Sequence, residues 1–247
     1  MGDILGVHNL SKVYPRASRP ALNGVNLTIG EGSIFGLLGP NGAGKTTAIS
    51  IMSTLLQPTV GTVTICGIDT VKYPGQVRSL IGCVPQEIAL YQNLTGRENL
   101  RFFGRMYGLR GKILEARVSE SIDFVGLNES ADQRVFTYSG GMKRRANLAV
   151  GILHGPKLLF LDEPTVGIDP QSRSLILERL ARLKDRMTMV YTTHYMEEAE
   201  LLCSYVAVID AGSIIAEGPP AELISRYPGC LNLEALFIRL TGKQLRD

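Results

Sequence analysis

The sequence predicts an α/β protein with a parallel, doubly wound sheet, and two observations carry this prediction. Residues 33–38 form a nearly continuous apolar run that ends in glycines and precedes residues with helical periodicity. This is typical of a strand buried on both faces and the helix after it. Farther along, apolar runs at 157–161 and 187–193 alternate with helical patterns at 170–185 and 196–203. Alternation of this kind builds a parallel sheet with helices on both faces.

Three further segments complete the predicted organisation. Short alternating runs from Ile4 to Ile29, broken by a loop at Pro15 to Pro20, predict antiparallel β-strands. Residues 87–136 carry amphipathic patterns rich in helix formers, which predict a helical insert, and residues 219–247 predict two short helices. We expect one unit, residues 1–247, with a core at 1–86 and 146–218, a helical subdomain at 87–145 and a helical tail at 219–247.

The composition is that of an ordinary globular protein, with 45% hydrophobic and 20% charged residues and a formal net charge of +3. So mild a charge gives no reason to expect a nucleic-acid partner. Cys66, Cys83, Cys203 and Cys230 show no paired spacing, so we expect reduced, cytosolic thiols and neither a zinc site nor disulfides. No export signal is recognisable and no apolar run approaches the ~18 residues of a membrane span, so any membrane role is expected to go through a partner.

A glycine-rich stretch between the first buried strand and its helix fits the pattern G-x-x-x-x-G-K-[ST]. In this pattern backbone N–H groups converge on phosphate oxygens, Lys45 adds a charge at the β and γ phosphates, and the Thr46 hydroxyl suits Mg²⁺. We expect a nucleotide site here, and the alternative is an ordinary glycine turn. The candidate residues are Gly39, Pro40, Asn41, Gly42, Ala43, Gly44, Lys45, Thr46 and Thr47.

Two carboxylates, Asp162 and Glu163, directly follow the apolar run Leu158 to Leu161. Open α/β sheets bind their ligands at the carboxyl ends of the strands. Asp162 is suited to hold magnesium, and Glu163 is suited to polarise an attacking water as a general base. Such a pair can also be a solvated turn, but the phosphate loop elsewhere in the chain favours the functional interpretation.

Three other places are open to two interpretations on spacing alone. His194 follows a predicted strand, where a capping or packing role is favoured over a functional one, and Gln86 is only a candidate polar group near the metal. The stretch Ser139, Gly140 and Gly141 precedes an amphipathic helix and could bind an anion, but Ser/Gly capping loops are common. The cations at 143–145 after it could be a solvated helix face.

Taken together and in this order, these elements resemble the nucleotide-binding subunit of an ABC transporter over nearly the whole chain. The matches are the Walker A at Gly39–Thr46, the Walker B at Leu158–Asp162 followed by the catalytic Glu163, the Q-loop at Gln86, the switch histidine at His194, the A-loop aromatic at Tyr14, the D-loop at Val166–Asp169 and the signature at Tyr138–Met142. The signature reads YSGGM where the family usually has LSGGQ. A contact made by a glutamine side chain at position 142 is therefore not expected.

The resemblance implies a P-loop NTPase with a RecA-like core, an N-terminal antiparallel β subdomain and an inserted helical subdomain. It implies an ATPase that binds ATP and Mg²⁺ and works as a dimer, in which the signature of one subunit faces the Walker A of the other. The implied roles are catalysis for Glu163, His194 and Lys45, adenine stacking for Tyr14, nucleotide binding for Gln86, Ser139, Gly140 and Gly141, and metal binding for Thr46, Gln86 and Asp162.

Three phrases, EPTVGIDP, YTTHYMEEAE and LEALFIRLTGKQLRD, look like the ABC-2 exporter branch. The implied function is export through a separate polytopic permease, with the ATPase on the cytoplasmic face of the cell membrane, as a homodimer and without nucleic acid. An ABC importer ATPase is the nearest alternative. A non-transport ABC ATPase acting on ribosomes or DNA usually carries a second cassette or a long coiled-coil insertion, and a stand-alone P-loop kinase would carry no signature.

Overall fold

The computed structural model describes residues 2–184 and 186–242. The strands are β1 (Asp3–Lys12), β2 (Leu22–Gly30), β3 (Ile34–Leu38), β4 (Val60–Ile65), β5 (Ile68–Asp69), β6 (Ile81–Val84), β7 (Leu158–Asp162), β8 (Thr188–Thr193), β9 (Tyr205–Asp210) and β10 (Ser213–Gly218). The helices are α1 (Lys45–Met52), α2 (Pro74–Leu80), α3 (Gly96–Met106), α4 (Gly111–Phe124), α5 (Gly140–Ile152), α6 (Pro170–Leu183), α7 (Met196–Leu202), α8 (Pro220–Ser225) and α9 (Leu233–Thr241). Short 3₁₀ turns lie at Asn128–Ser130 and Val135–Thr137.

The strands of the described residues form two sheets. One is antiparallel and has the order β2-β1-β4-β5. The other has the order β10-β9-β3-β8-β7-β6, in which β10 pairs antiparallel with β9 and all other neighbours are parallel. The predicted parallel sheet and the predicted N-terminal antiparallel strands are both confirmed.

Strand β3 is buried along its whole length because it lies between two hydrophobic cores. Ile34 and Leu38 belong to the core that includes the helical insert, whereas Phe35 and Leu37 belong to the core beneath the antiparallel sheet. Successive side chains of a strand point to opposite faces, so a strand between two cores needs apolar residues at every position. This is why the apolar run predicted the strand.

The helical insert contains α3, α4 and the start of α5. Helix α3 begins with a capping box, in which the Glu98 amide donates to Thr95 Oγ1 at 3.1 Å and the Thr95 amide donates to Glu98 Oε2 at 2.8 Å. Helix α5 continues past position 145, where we expected the helical subdomain to end, and packs against β6. One continuous helix therefore connects the insert with the parallel sheet.

The C-terminal tail folds as α8 and α9, which pack against each other, and α9 also packs against α7. Leu233, Leu236 and Phe237 of α9 are buried. The expected tail extends to Asp247 and the expected helix before β8 extends to Asp185, but 243–247 and Asp185 lie outside the described residues.

The helices of the described part of the chain are short. The longest, α4 and α6, have 14 residues each, whereas a helix needs about 20 residues to cross a bilayer. Within residues 2–184 and 186–242, no helix is long and apolar enough to be a membrane span.

Four neighbouring parallel strands end at one edge of the sheet, and a predicted site residue follows each end. Gly39 follows β3, Gln86 follows β6 after one proline, Glu163 follows β7 and His194 follows β8. The strand ends are aligned, since the last residues of β3 and β8 pair with each other and Asp162 of β7 pairs with Thr192 of β8. The sheet therefore gathers these residues from distant parts of the sequence.

Candidate active site

The loop between β3 and α1 requires glycine at two positions. A Cβ atom on Gly39 would lie 2.3 Å from the Ile209 carbonyl oxygen, and one on Gly44 would lie 2.5 Å from the Ala21 carbonyl oxygen. Gly44 also has a φ of 111° and is the N-cap of α1, where no side chain caps the helix. The N–H groups of the first turn of α1 are therefore left for another acceptor, as in an anion site at a helix N-terminus.

Lys45 is buried at the floor of this loop. Its ammonium donates to the carbonyl oxygens of Gly39 at 2.7 Å and Pro40 at 3.2 Å, and it lies 3.6 Å from Glu163 Oε1. Burial lowers the pKa of Lys45, and the negative charges of Glu163 and Asp162 oppose that shift. The buried ammonium is therefore held at the floor of the loop by two carbonyl oxygens and lies close to the Glu163 carboxylate.

The carboxylate of Glu163 brings three predicted residues together. Its Oε2 atom lies 3.3 Å from Nδ1 of His194 and accepts a hydrogen bond from Nε2 of Gln86 at 3.3 Å, while Oε1 faces Lys45. Glu163 has a φ of 47°, in the left-handed region that non-glycine residues rarely adopt. Its amide donates to Oγ1 of Thr192 at 3.0 Å, which holds this backbone conformation in place.

Asp162 ends β7 and is buried beside Glu163. One of its carboxylate oxygens accepts a hydrogen bond from Thr192 Oγ1 at 2.7 Å. The described residues contain no group of three or more His, Cys, Asp or Glu side chains that could hold a metal ion by themselves. The carboxylate of Asp162, the hydroxyl of exposed Thr46 and the side-chain amide of Gln86 are oxygen donors that suit Mg²⁺, which keeps water and phosphate oxygens as its other ligands.

A cleft of about 200 Å³ lies over the loop. It is lined by Ala21, Pro40, Asn41, Gly42, Gly44, Lys45, Thr46, Thr47, Gln86 and Glu163. Tyr14 stands next to this cleft, since its hydroxyl is 3.3 Å from Thr47 Oγ1, and the residue is 41% exposed. An exposed aromatic ring at this position is available to stack on a planar base.

The signature residues do not line this cleft. None of Ser139, Gly140 and Gly141 is among the described residues that line the cleft. Ser139 is the N-cap of α5, where its Oγ accepts from the Met142 amide at 3.2 Å. A Cβ atom on Gly141 would lie 2.0 Å from Ser172 Oγ, so the signature packs closely against the start of α6, just after the D-loop.

Tyr138, which departs from the usual leucine, is a core residue and not part of the cleft. Its side chain is buried and its hydroxyl donates to the Ser130 carbonyl oxygen at 2.6 Å. A Cβ atom on Gly96 would lie 2.4 Å from the Tyr138 hydroxyl oxygen. The absence of a side chain at Gly96 therefore provides the space for the larger residue at 138.

Sequence reasoning missed two residues of the site. Thr192 holds both Asp162 and the Glu163 amide, and a polar residue near the end of the apolar run at 187–193 could have indicated it. Arg144 donates to the carbonyl oxygens of Gln86 and Val166, so the interpretation of its helix face as merely solvated is wrong at this residue. No sequence pattern pointed to these two acceptors.

Thr192→Val is expected to lower the free energy of unfolding by about 1–3 kcal/mol, because the buried Asp162 carboxylate loses a hydrogen-bond donor, while the Glu163 amide keeps the Thr192 carbonyl oxygen at 3.2 Å as an acceptor. Valine keeps the shape of the side chain and removes only the hydroxyl. Thr192→Ser keeps the hydroxyl and is the matched control, with a smaller expected loss. Urea unfolding of the three proteins measures the difference, and a Thr192→Val protein as stable as the original would mean that the hydroxyl contributes nothing to the free energy of unfolding.

Comparison with known proteins gives a family for this arrangement. A family model described as "ABC transporter" matches residues 22–166. The linearmycin resistance ATP-binding protein of Bacillus subtilis (strain 168) is 46% identical over 227 residues, which are 92% of this chain and 72% of that protein. The Nod factor export ATP-binding protein I of Cupriavidus metallidurans is 44% identical over 231 residues, 93% of this chain and 76% of that protein.

Two solved structures are also similar along most of their length. An ATP-binding subunit of an ABC transporter has a TM-score of 0.86 at 28% identity and covers 96% of this chain and 99% of its own. A dimeric ATP-binding cassette in a post-hydrolysis state, bound to ADP and phosphate, has a TM-score of 0.79 at 28% identity and covers 87% of this chain and 98% of its own. Because the family model spans more than half of the 247 residues and these relatives align over nearly all of them, the chain belongs to the ABC transporter family as one of its ATP-binding, ATP-hydrolysing subunits.

Proposed function

We propose that this ATPase powers export through a separate membrane permease, by closing as a dimer around ATP and opening again after hydrolysis. The observation that carries the proposal is the separation of the signature residues from the cleft over the Walker A loop. The chain thus has two places where backbone N–H groups at a helix N-terminus can meet phosphate, but one Asp162 and Glu163 pair. A second copy of the chain resolves this mismatch.

In the proposed dimer, each ATP lies between the Walker A loop of one subunit and the signature of the other. Ser139 and Gly140 are exposed at the start of the 13-residue helix α5, so their polar groups are accessible to a second copy. The helix dipole and the free N–H groups at this end favour a negatively charged partner such as the γ-phosphate. Two ATP molecules bound in this way would join the two subunits, so closure of the dimer would depend on ATP.

Each residue near the cleft has a proposed role in hydrolysis. Lys45 neutralises charge on the β and γ phosphates, and Tyr14 stacks on the adenine. Thr46, Gln86 and Asp162 would hold Mg²⁺, which supplies further positive charge at the phosphates when it is bound. Glu163 accepts a proton from the attacking water. His194, whose Nδ1 lies 3.3 Å from Glu163 Oε2, orients that carboxylate.

Export is the transport direction that the named relatives support, since they serve linearmycin resistance and Nod factor export. The permease is proposed as a separate polytopic protein, which would place this subunit on the cytoplasmic face of the membrane. A homodimer is the simplest arrangement. An importer ATPase or a non-transport ABC ATPase has no comparable support among these relatives. Co-purification with a polytopic membrane protein tests the proposed partner.

The shared nucleotide site is tested by Gly140→Asp. The nearest atoms to a Cβ on Gly140, the Gly167 carbonyl oxygen and Ile168 Cγ2, are both 3.9 Å away, so a side chain fits within one subunit. At Gly141 it would collide with Ser172, and that position is unsuitable. An aspartate at 140 would face the partner's γ-phosphate, where like charges at an interface cost on the order of several kcal/mol.

In a Glu163→Gln background, ATP is expected to drive a dimer that light scattering detects. Adding Gly140→Asp is expected to abolish the dimer and leave the affinity of the monomer for ATP nearly unchanged. Gly140→Asn, which has the same size without the charge, is the matched control and should retain more dimer. Loss of ATP binding by the Gly140→Asp monomer would place the signature in its own subunit's site. An undiminished dimer would mean that Gly140 does not face the partner's phosphate.

A further inference from the structure

Arg144 connects α5, the helix that begins at the signature and is called the signature helix below, to two loops of the core. It lies on the second turn of α5, and its guanidinium donates to the carbonyl oxygen of Gln86 and, at 3.1 Å, to that of Val166. Gln86 belongs to the Q-loop and Val166 to the D-loop. The side chain is half-buried, so these contacts are partly shielded from water.

The two carbonyl groups belong to residues that each contact Glu163. The side chain of Gln86 donates to Glu163 Oε2 at 3.3 Å, while the carbonyl oxygen of the same residue accepts from Arg144. Val166 lies three residues after Glu163, and its amide donates to the Glu163 carbonyl oxygen at 3.3 Å. Arg144 therefore holds the backbone of two residues that each form a hydrogen bond with Glu163.

An arginine suits this position because its planar guanidinium presents several N–H donors at fixed angles. One terminal nitrogen contacts the Q-loop and the other contacts the D-loop. A lysine has a single nitrogen at the end of a flexible side chain, so it cannot donate from two nitrogens at fixed positions. Burial lowers the pKa of Arg144 and the Glu163 carboxylate opposes that shift, in keeping with the closeness of the two side chains.

The neighbouring Arg145 shows that the arrangement is specific to position 144. One terminal nitrogen of Arg145 donates to the carbonyl oxygens of Val125 at 2.9 Å and Gly126 at 2.8 Å, just after α4. Those acceptors lie within the helical insert. Of these two consecutive arginines, Arg144 is therefore the one that joins the insert to the loops around Glu163.

We propose that Arg144 is a positioning residue, which transmits the position of the signature helix to the Q-loop and D-loop and so sets the geometry of Glu163. The part of this inference that concerns nucleotide rests on the proposed shared site. There, the partner's ATP at Ser139 would fix the start of α5, and Arg144 on the next turn would carry that constraint to Glu163 in its own subunit. ATP bound in one site would then influence hydrolysis in the other.

Arg144→Ala is expected to lower kcat for ATP hydrolysis by about tenfold to a hundredfold, because small displacements of catalytic groups have effects of this size. KM is expected to change by less than about threefold, because the hydrogen bonds of Arg144 to Gln86 and Val166 do not involve the Walker A residues proposed to bind the phosphates. Arg144→Lys should restore part of kcat. Arg117→Ala, which removes an exposed arginine from α4 of the same insert, is the matched control and should leave both constants unchanged.

A second measurement uses no nucleotide. Amide hydrogen exchange of the full chain is expected to be faster in Arg144→Ala at residues 86–88 and 165–169, by about threefold to tenfold, since each segment loses a hydrogen bond to a charged group. Arg117→Ala should exchange there like the original protein. If the alanine variant does not fold, both measurements on Arg144→Lys decide the question.

Unchanged exchange at both segments would overturn the proposal, because Arg144 would not hold the loops. Faster exchange with an unchanged kcat would overturn its link to Glu163. Faster exchange, a lower kcat with little change in KM and partial recovery in Arg144→Lys would support it. Failure of the shared-site proposal would be seen separately, as the absence of an ATP-driven Glu163→Gln dimer, because the exchange measurement requires neither ATP nor a dimer.

Discussion

Glu163→Gln is expected to lower kcat for ATP hydrolysis by about 10²- to 10⁴-fold, the usual contribution of a general base. Glutamine keeps the size and polarity of the side chain, but it cannot accept the proton of the attacking water. The groups that would bind ATP are mostly elsewhere in the cleft, so the dissociation constant for ATP should change by less than about threefold. Single-turnover hydrolysis and calorimetric titration measure the two quantities.

Glu178→Gln provides the control for this substitution. Glu178 is an exposed residue of α6 that pairs with Arg182, so the same chemical change there should leave turnover unaffected. Normal hydrolysis by a Glu163→Gln protein that still binds ATP would remove Glu163 from its proposed role. A large loss of ATP affinity would instead indicate that Glu163 acts mainly by holding Lys45 and Gln86 in place.

Lys45→Ala is expected to weaken ATP binding by about tenfold to a hundredfold, since a hydrogen bond to a charged group typically contributes about 1.5–3 kcal/mol. The ammonium now donates to the Gly39 and Pro40 carbonyl oxygens at the floor of the loop, within reach of a phosphate bound there. Calorimetry on the purified chain measures the affinity. The affinity for ATP should fall, and the rate of hydrolysis should fall as well.

Lys112→Ala is the matched control for the loss of a lysine, because Lys112 is an exposed residue of α4 away from the cleft. Thermal unfolding of both variants shows whether they are folded. An unchanged affinity for ATP in folded Lys45→Ala would contradict the assignment of this loop as the phosphate site, whatever happens to hydrolysis.

The sheet edge that carries the candidate site was largely predictable because its signals are local. A buried parallel strand needs a continuous apolar run, and the chain after such a strand leads to the ligand edge of the sheet. Gly39, Gln86, Glu163 and His194 each follow a strand of this kind. Spacing alone favoured a capping or packing role for His194, whereas the structure places its ring nitrogen 3.3 Å from the Glu163 carboxylate.

Other elements were not predicted because their signals are weak or depend on distant residues. Strand β9 has an apolar run at 206–209, but a single short run does not distinguish a strand from a buried helix segment. The fit of Tyr138 depends on the lack of a side chain at Gly96, forty-two residues earlier. No pattern in a short segment of sequence shows that two distant residues will be in contact, so this fit is visible only in the folded chain.

Hydrophobic periodicity and glycine positions are properties of short segments, so they were enough to predict the parallel sheet, the antiparallel N-terminal strands, the glycine loop between β3 and α1 and the family. Which polar groups touch one another depends instead on how the whole chain folds. Thr192 meets Asp162 and Glu163 across two paired strands, and Arg144 reaches the carbonyl oxygens of Gln86 and Val166, which are 58 and 22 residues away in the chain. A hydrogen bond requires its two atoms to lie about 3 Å apart, and distances of that kind are set by the packing of the whole domain.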